Sequence, residues 1–148
     1  MQKETIFIAS DHAGYALKQC ICDHLSTQGR KVEDLGTHSE ESCDYPVFAH
    51  KLCAKVLEND RQGILICGTG TGMSMAANRH PGIRAALCTH EFQAKFARAH
   101  NNANVLCLAG RISSPTLACA ISDLFLEQEF EDGRHSRRVE LIEIQKVD

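Results

Sequence analysis

The chain has 148 residues, 43% hydrophobic and 24% charged, the size and composition at which a single domain buries a core without metal clips or disulfide staples. A formal net charge of -3 and an isoelectric point near 6.2 exclude the broad basic stripe that nucleic-acid binding demands, so any anionic ligand must be held locally. The polar start Met1-Gln2-Lys3-Glu4-Thr5 runs into only a short apolar stretch, which reads as neither an export signal nor a membrane span. The expected location is therefore the cytoplasm. There the eight cysteines stay reduced, most of them as small buried hydrophobes.

Five short runs rich in Ile, Val and Leu follow one another, from Thr5 to Ala9, Lys31 to Leu35, Gly63 to Ile66, Arg84 to Leu87 and Asn104 to Ala109. The third and fifth are apolar at nearly every position, as strands buried on both faces of a parallel sheet must be. Between the runs lie stretches of helical periodicity, such as Leu17, Ile21 and Leu25, or Phe48, Leu52 and Val56, with Gly29 placed to end the first helix. Strands alternating with crossover helices predict one α/β domain over residues 1–148. Its architecture is a three-layer α/β/α sandwich around a Rossmann-like, five-stranded parallel sheet. Residues 133–148 are highly charged with Val139, Leu141, Ile142 and Ile144 interspersed, and are expected to form a helical segment packed on a surface or a partner.

Ligands of such sheets collect at the carboxyl ends of the strands. Directly after the apolar runs come Ser10-Asp11-His12-Ala13-Gly14, Cys67-Gly68-Thr69-Gly70-Thr71-Gly72, Cys88-Thr89-His90 and Gly110-Arg111. The chemistry-bearing residues are thus predicted to share one edge.

The second of these segments is the most informative. Its glycines allow a tight turn that exposes backbone N–H groups, and a helix follows, so the loop suits an anion or a developing oxyanion. A dinucleotide-binding loop is excluded, because Met73 and Met75 stand three residues after Gly70 and Gly72 where a third glycine belongs. A nucleoside-triphosphate loop is excluded by Met73-Ser74 after Gly72, where a lysine and a hydroxyl residue belong, and a cysteine-phosphatase loop by the lack of an arginine at Met73. A thiol beside an anion cradle remains. Cys67 either fills the end of the sheet beside a tight turn or serves as a base, a task favoured for thiols at the head of a helix.

Arg134 and Arg138 are one helical turn apart and share a face. They are either a solvated helix face or a forked clamp for a phosphate dianion. The segment Cys20-Ile21-Cys22-Asp23-His24 puts Cys20 and His24 on one helix face but turns Cys22 away, and no second cluster completes a tetrahedral site, so no metal is expected. His38, His50, His80 and His90 have no motif around them and read as surface or capping residues.

Taken together and in order, Ser10-Asp11-His12-Ala13-Gly14, Asp44-Tyr45-Pro46, Cys67-Gly68-Thr69-Gly70, Ala77-Asn78, His100-Asn101-Asn102-Ala103-Asn104 and Gly133-Arg134-His135-Ser136-Arg137-Arg138 resemble ribose-5-phosphate isomerase type B. The resemblance spans nearly the whole chain and extends to the allose-6-phosphate and galactose-6-phosphate isomerases of that family. It implies an aldose–ketose isomerase of the pentose phosphate pathway that interconverts ribose 5-phosphate and ribulose 5-phosphate through an enediolate. Allose-6-phosphate or galactose-6-phosphate isomerisation is the alternative, and a non-catalytic module that binds a phosphorylated metabolite is the reading from another class.

By the same resemblance Cys67 is the base that carries the proton between C1 and C2, and Gly68, Thr69, Gly70, Thr71 and Gly72 steady the enediolate oxygen, with Thr69 assisting at the hydroxyls. His100 is the acid that opens the furanose ring. Asp11, His12 and Asn101 bind the sugar or assist the opening, and Arg111, Arg134 and Arg138 hold the phosphate. Members that lack the cysteine use a glutamate at the position of Met73, which places this chain with the cysteine type. The resemblance further implies a homodimer, or a pair of dimers, with sites at the interface where one protomer receives His100 and Asn101 from its neighbour. No cofactor is expected, because neither a hydride nor an electron leaves the sugar.

Overall fold

A computed structural model describes residues 4–144. Five strands, β1 (Ile6–Ser10), β2 (Val32–Asp34), β3 (Gly63–Cys67), β4 (Ala85–Leu87) and β5 (Val105–Ala109), form one parallel sheet in the order β2-β1-β3-β5-β4. The helices between and after them are α1 (Tyr15–Thr27), α2 (Tyr45–Asn59), α3 (Thr71–Ala77), α4 (Glu91–Ala99), α5 (Pro115–Glu127) and α6 (Arg134–Glu140). The α/β sandwich expected from the sequence is what forms, and the strands lie within a residue or two of the apolar runs that announced them. No helix among the described residues is long and apolar enough to cross a membrane.

The period-two geometry of a strand explains why β1, β3 and β5 are buried at every position. Ile6, Ile8, Ile64, Ile66, Leu106 and Leu108 face one core with Leu17, Ile21 and Leu25 of α1, Ala94 and Ala97 of α4, and Ile121 and Phe125 of α5. The alternate residues Phe7, Ala9, Leu65, Cys67, Val105 and Cys107 face the other core with Leu52 and Val56 of α2 and Met73 and Ala77 of α3. Helix ends follow local chemistry. Gly29, at φ +70°, closes α1 by sending its N–H to Ser26 O while Arg30 N–H reaches Leu25 O. The ring Nδ1 of His90 accepts the N–H of Phe92 and caps α4, and Ser114 Oγ accepts the N–H of Leu117 ahead of Pro115 in α5.

The charged C-terminal segment is helical only over Arg134–Glu140, shorter than the span of 133–148 expected from its pattern, and residues 145–148 lie outside the described ones. A short helix takes its stability from packing. Leu141, Ile142 and Ile144 beyond it are exposed, so no packing among the described residues rewards a further turn.

One ion pair ties the edge of the sheet to its centre. Lys18 of α1 is fully buried, and its Nζ lies 2.6 and 2.5 Å from the two carboxylate oxygens of Asp34 at the end of β2. Asp34 also accepts the N–H of Gly36, whose carbonyl accepts the N–H of Ser10. Lys18 is thus the buried charge, while Asp34 keeps 27% of its side-chain surface exposed. Removing one partner of a buried pair costs about 3–5 kcal/mol when the remaining charge is left buried. Asp34→Asn is therefore expected to destabilise the fold more than Lys18→Met, which leaves behind a carboxylate that water can reach. Urea denaturation of both variants checks this ordering, and equal losses would contradict it.

Candidate active site

β1 leads outward to β2 and β3 leads the other way, so the chain changes direction across the sheet between two adjacent strands. Crevices form at the carboxyl ends of such a pair. Cys67 is the last residue of β3, 5% exposed, in register with Ala109 of β5, and one residue beyond the Ile66 that pairs with Ser10 of β1. The thiol is thus flanked by the ends of both neighbouring strands.

Three loops close on it. Asp11, itself buried, donates its N–H to Ile66 O at 3.2 Å and accepts the N–H of Gly14 on Oδ1 at 3.0 Å. Gly110 donates its N–H to Cys67 O at 2.8 Å, and Arg111 donates its own to Gly68 O at 3.0 Å. The guanidinium of Arg111 lies across Gly68, where a Cβ would stand 3.2 Å from Nη1. His12 Nδ1 accepts the N–H of Cys43 at 3.2 Å, which in the neutral ring assigns the proton to Nε2 and leaves that nitrogen as a donor.

The glycine loop presents donors rather than using them. The N–H groups of Gly68, Thr69 and Gly70 have no acceptor among the described residues. Gly70 takes a left-handed φ of +76° to turn the chain into α3, a conformation L side chains rarely adopt. Gly72 lies beneath the ring of Tyr45, with room for no Cβ because one would approach the ring to 2.6 Å. Tyr45 belongs to a motif singled out in the sequence, but its contact with the loop is tertiary and has no sequence signal. The arrangement places a thiol beside a set of free amides, able to take a proton from carbon while the adjacent oxygen gains charge.

Four of the other thiols are packing residues. Burial pushes Cys53 and Cys88 up to about 12, Cys22 up to about 11, and Cys107 upward as well. These four stay protonated at neutral pH.

Not every expected site residue meets Cys67. Asp11, His12, Gly68, Thr69, Gly70, Thr71, Gly72 and Arg111 gather at the carboxyl edge with it. His100 and Asn101 follow α4, which descends from the carboxyl end of β4 to the amino end of β5. They lie at the opposite edge, separated from Cys67 by the length of a five-residue strand, about 13 Å at least. Arg134 and Arg138 are with them: Glu131 N–H donates to Ala99 O at 3.0 Å, and the His135 ring stacks on that of His100 with centroids 4.1 Å apart. Asn101 also lines a cavity of 580 Å³ beside the edge strand β4. The chain thus carries two groups of site residues on opposite edges of one sheet. Glu131 and His135, against His100, were not anticipated as site residues. His135 stands inside the quoted arginine motif, whereas nothing in the sequence marks Glu131.

Comparison with known proteins gives consistent matches. Residues 6–142 match the family model described as ribose/galactose isomerase. The chain is 44% identical over 138 residues to ribose-5-phosphate isomerase B of Escherichia coli, covering 93% of each chain. It is similar to the crystal structure of a ribose 5-phosphate isomerase of Thermotoga maritima, with a TM-score of 0.92, 52% identity, and coverage of 93% of this chain and 96% of that one. It is likewise similar to the ribose-5-phosphate isomerase B of Mycoplasma genitalium with bound ribulose 5-phosphate, with a TM-score of 0.89, 48% identity and coverage of 93% of both chains.

Proposed function

The chain belongs to the ribose/galactose isomerase family, and from that premise we propose that it interconverts ribose 5-phosphate and ribulose 5-phosphate, with Cys67 as the base. The observation that carries the chemistry is the thiol at the end of β3 facing a loop whose amides are unpaired. In the open-chain aldose Cys67 takes the proton from C2, and the carbonyl oxygen on C1 gains charge against the N–H groups of Gly68 to Gly70. The hydroxyl proton then passes from O2 to O1, and the proton held by Cys67 returns to C1 as the carbonyl forms at C2. Two protons and two electrons move within a single molecule, so no external oxidant or reductant enters. His100 opens the furanose ring. Asp11, His12, Thr69 and Asn101 bind the sugar hydroxyls, His12 through its Nε2 proton.

The site is completed by a second copy of the chain. Two groups of residues at opposite edges of one sheet cannot hold one five-carbon sugar, whereas an isologous pair brings the His100 group of one protomer to the Cys67 group of its partner, twice. Exposed Phe92, Leu141, Ile142 and Ile144 and the short edge strand β4 supply apolar and backbone surface for that contact. Arg134 and Arg138 then clamp the phosphate from one protomer while Arg111 does so from the other. A cytoplasmic location fits the eight free cysteines, which a reducing compartment maintains.

Two measurements test this reading. Cys67→Ala keeps the small volume and removes the base, so kcat is expected to collapse and exchange of the C2 proton with solvent to stop, while sugar-phosphate binding persists. A non-catalytic binding module would show neither turnover nor exchange in the parent chain. Arg134→Ala and Arg138→Ala each remove a charge-assisted contact worth about 1.5–3 kcal/mol, an increase in KM of about ten- to a hundredfold. An unchanged KM in both variants would return the pair to a solvated helix face.

A further inference from the structure

His100, Glu131 and His135 come from two stretches of chain and converge on one point. Glu131 Oε2 lies 3.5 Å from His100 Nε2 and 3.6 Å from His135 Nε2. One ligand atom from each of the three lies within 4.8 Å of the others. In a tetrahedral zinc site with bonds of about 2.0–2.2 Å, neighbouring ligand atoms stand about 3.4 Å apart, so both nitrogen-to-oxygen separations already fit. Backbone anchors hold the group: His100 N–H donates to Phe96 O, Glu131 N–H to Ala99 O and His135 N–H to Asp132 O. His100 and Glu131 are open to solvent, while His135 is buried.

We propose that these three side chains form a site for a divalent transition-metal ion, zinc above all, whose occupation takes His100 out of the isomerase reaction. The second half of this statement rests on the ring-opening role assigned to His100. Two imidazoles and a carboxylate are a borderline donor set that selects zinc over magnesium or calcium, which prefer oxygen ligands. Arg134 and Arg138 flank the site and oppose any cation there, a further reason that only an ion bound strongly by imidazole would stay. The two rings stack with 12° between their planes and must splay for both Nε2 lone pairs to meet one ion. The ring of His100 thereby leaves the orientation it holds in the metal-free protein. The fourth position remains open to water.

Zinc titration of the intact protein, read by equilibrium dialysis, tests the site. The parent chain is expected to bind one more equivalent than Glu131→Gln or His135→Phe, the latter keeping the aromatic stack while removing the ligand nitrogen. Comparison with these variants subtracts zinc bound by the cysteines. Equal stoichiometry in all three proteins would overturn the proposal. Turnover of ribose 5-phosphate provides the second readout: zinc is expected to inhibit the parent, a chelator to restore it fully, and both variants to resist. Inhibition that persists in both variants places the ion on another group, such as Cys67, and overturns the claim. An extra equivalent bound without inhibition refutes the withdrawal of His100. A parent protein with no turnover on any sugar phosphate counts against the functional reading, while the dialysis result still decides the metal site.

Discussion

Three loops at the carboxyl edge of the sheet approach one another backbone to backbone, and this close contact governs the rest of the structure. A Cβ on Gly14 would stand 2.4 Å from the carbonyl oxygen of Ile66, and one on Gly110 would stand 2.8 Å from that of Ala13. No larger residue fits at either place without moving a strand end. Because the loops touch, the N–H of Asp11 can bond to the carbonyl of Ile66 and that of Gly110 to the carbonyl of Cys67. The thiol is then fixed beside amides that the loop itself leaves unused. In the proposed reaction the pre-set position of these donors lets a carbon-bound hydrogen be removed without large rearrangement.

Much of this edge is legible in the sequence. Alternating apolar runs and amphipathic stretches specify parallel strands with crossover helices, and the rule that ligands meet strand ends collects Asp11, Cys67 and Arg111 without knowledge of strand order. Gly70 and Gly72 read as turn residues for sound reasons, although the pressure of Tyr45 on Gly72 arises only in the tertiary fold. The buried charge of Lys18 is invisible locally. Its place in an amphipathic helix is ordinary, and its partner Asp34 lies sixteen residues away.

The division of the expected site residues across two edges is the more instructive case. Family resemblance groups His100 and Arg134 with Cys67, but a strand's length separates them in space, and only the descent of α4 from one edge to the other reveals it. The same geometry accounts for the apolar residues after α6. Leu141, Ile142 and Ile144 look like the inner face of a longer helix in a linear pattern, yet they are exposed and the helix ends at Glu140. In the proposed pair of protomers they supply apolar contact surface. The juxtaposition of His100 with Glu131 and His135, which are four residues apart, is likewise a product of how α6 returns to the end of α4.

Whether one site is shared by two protomers is decided most directly by mixing two inactive variants. Cys67→Ala and His100→Ala homodimers are each expected to be nearly inactive. After unfolding and refolding together, half of the dimers contain one chain of each kind, and one of their two sites pairs an intact Cys67 with an intact His100. The mixture should recover about a quarter of the parent activity, as two-fold symmetry requires. If both variants are inactive alone and their refolded mixture, shown by mass spectrometry to contain heterodimers, recovers none, then Cys67 and His100 do not meet across an interface, and the shared site is refuted.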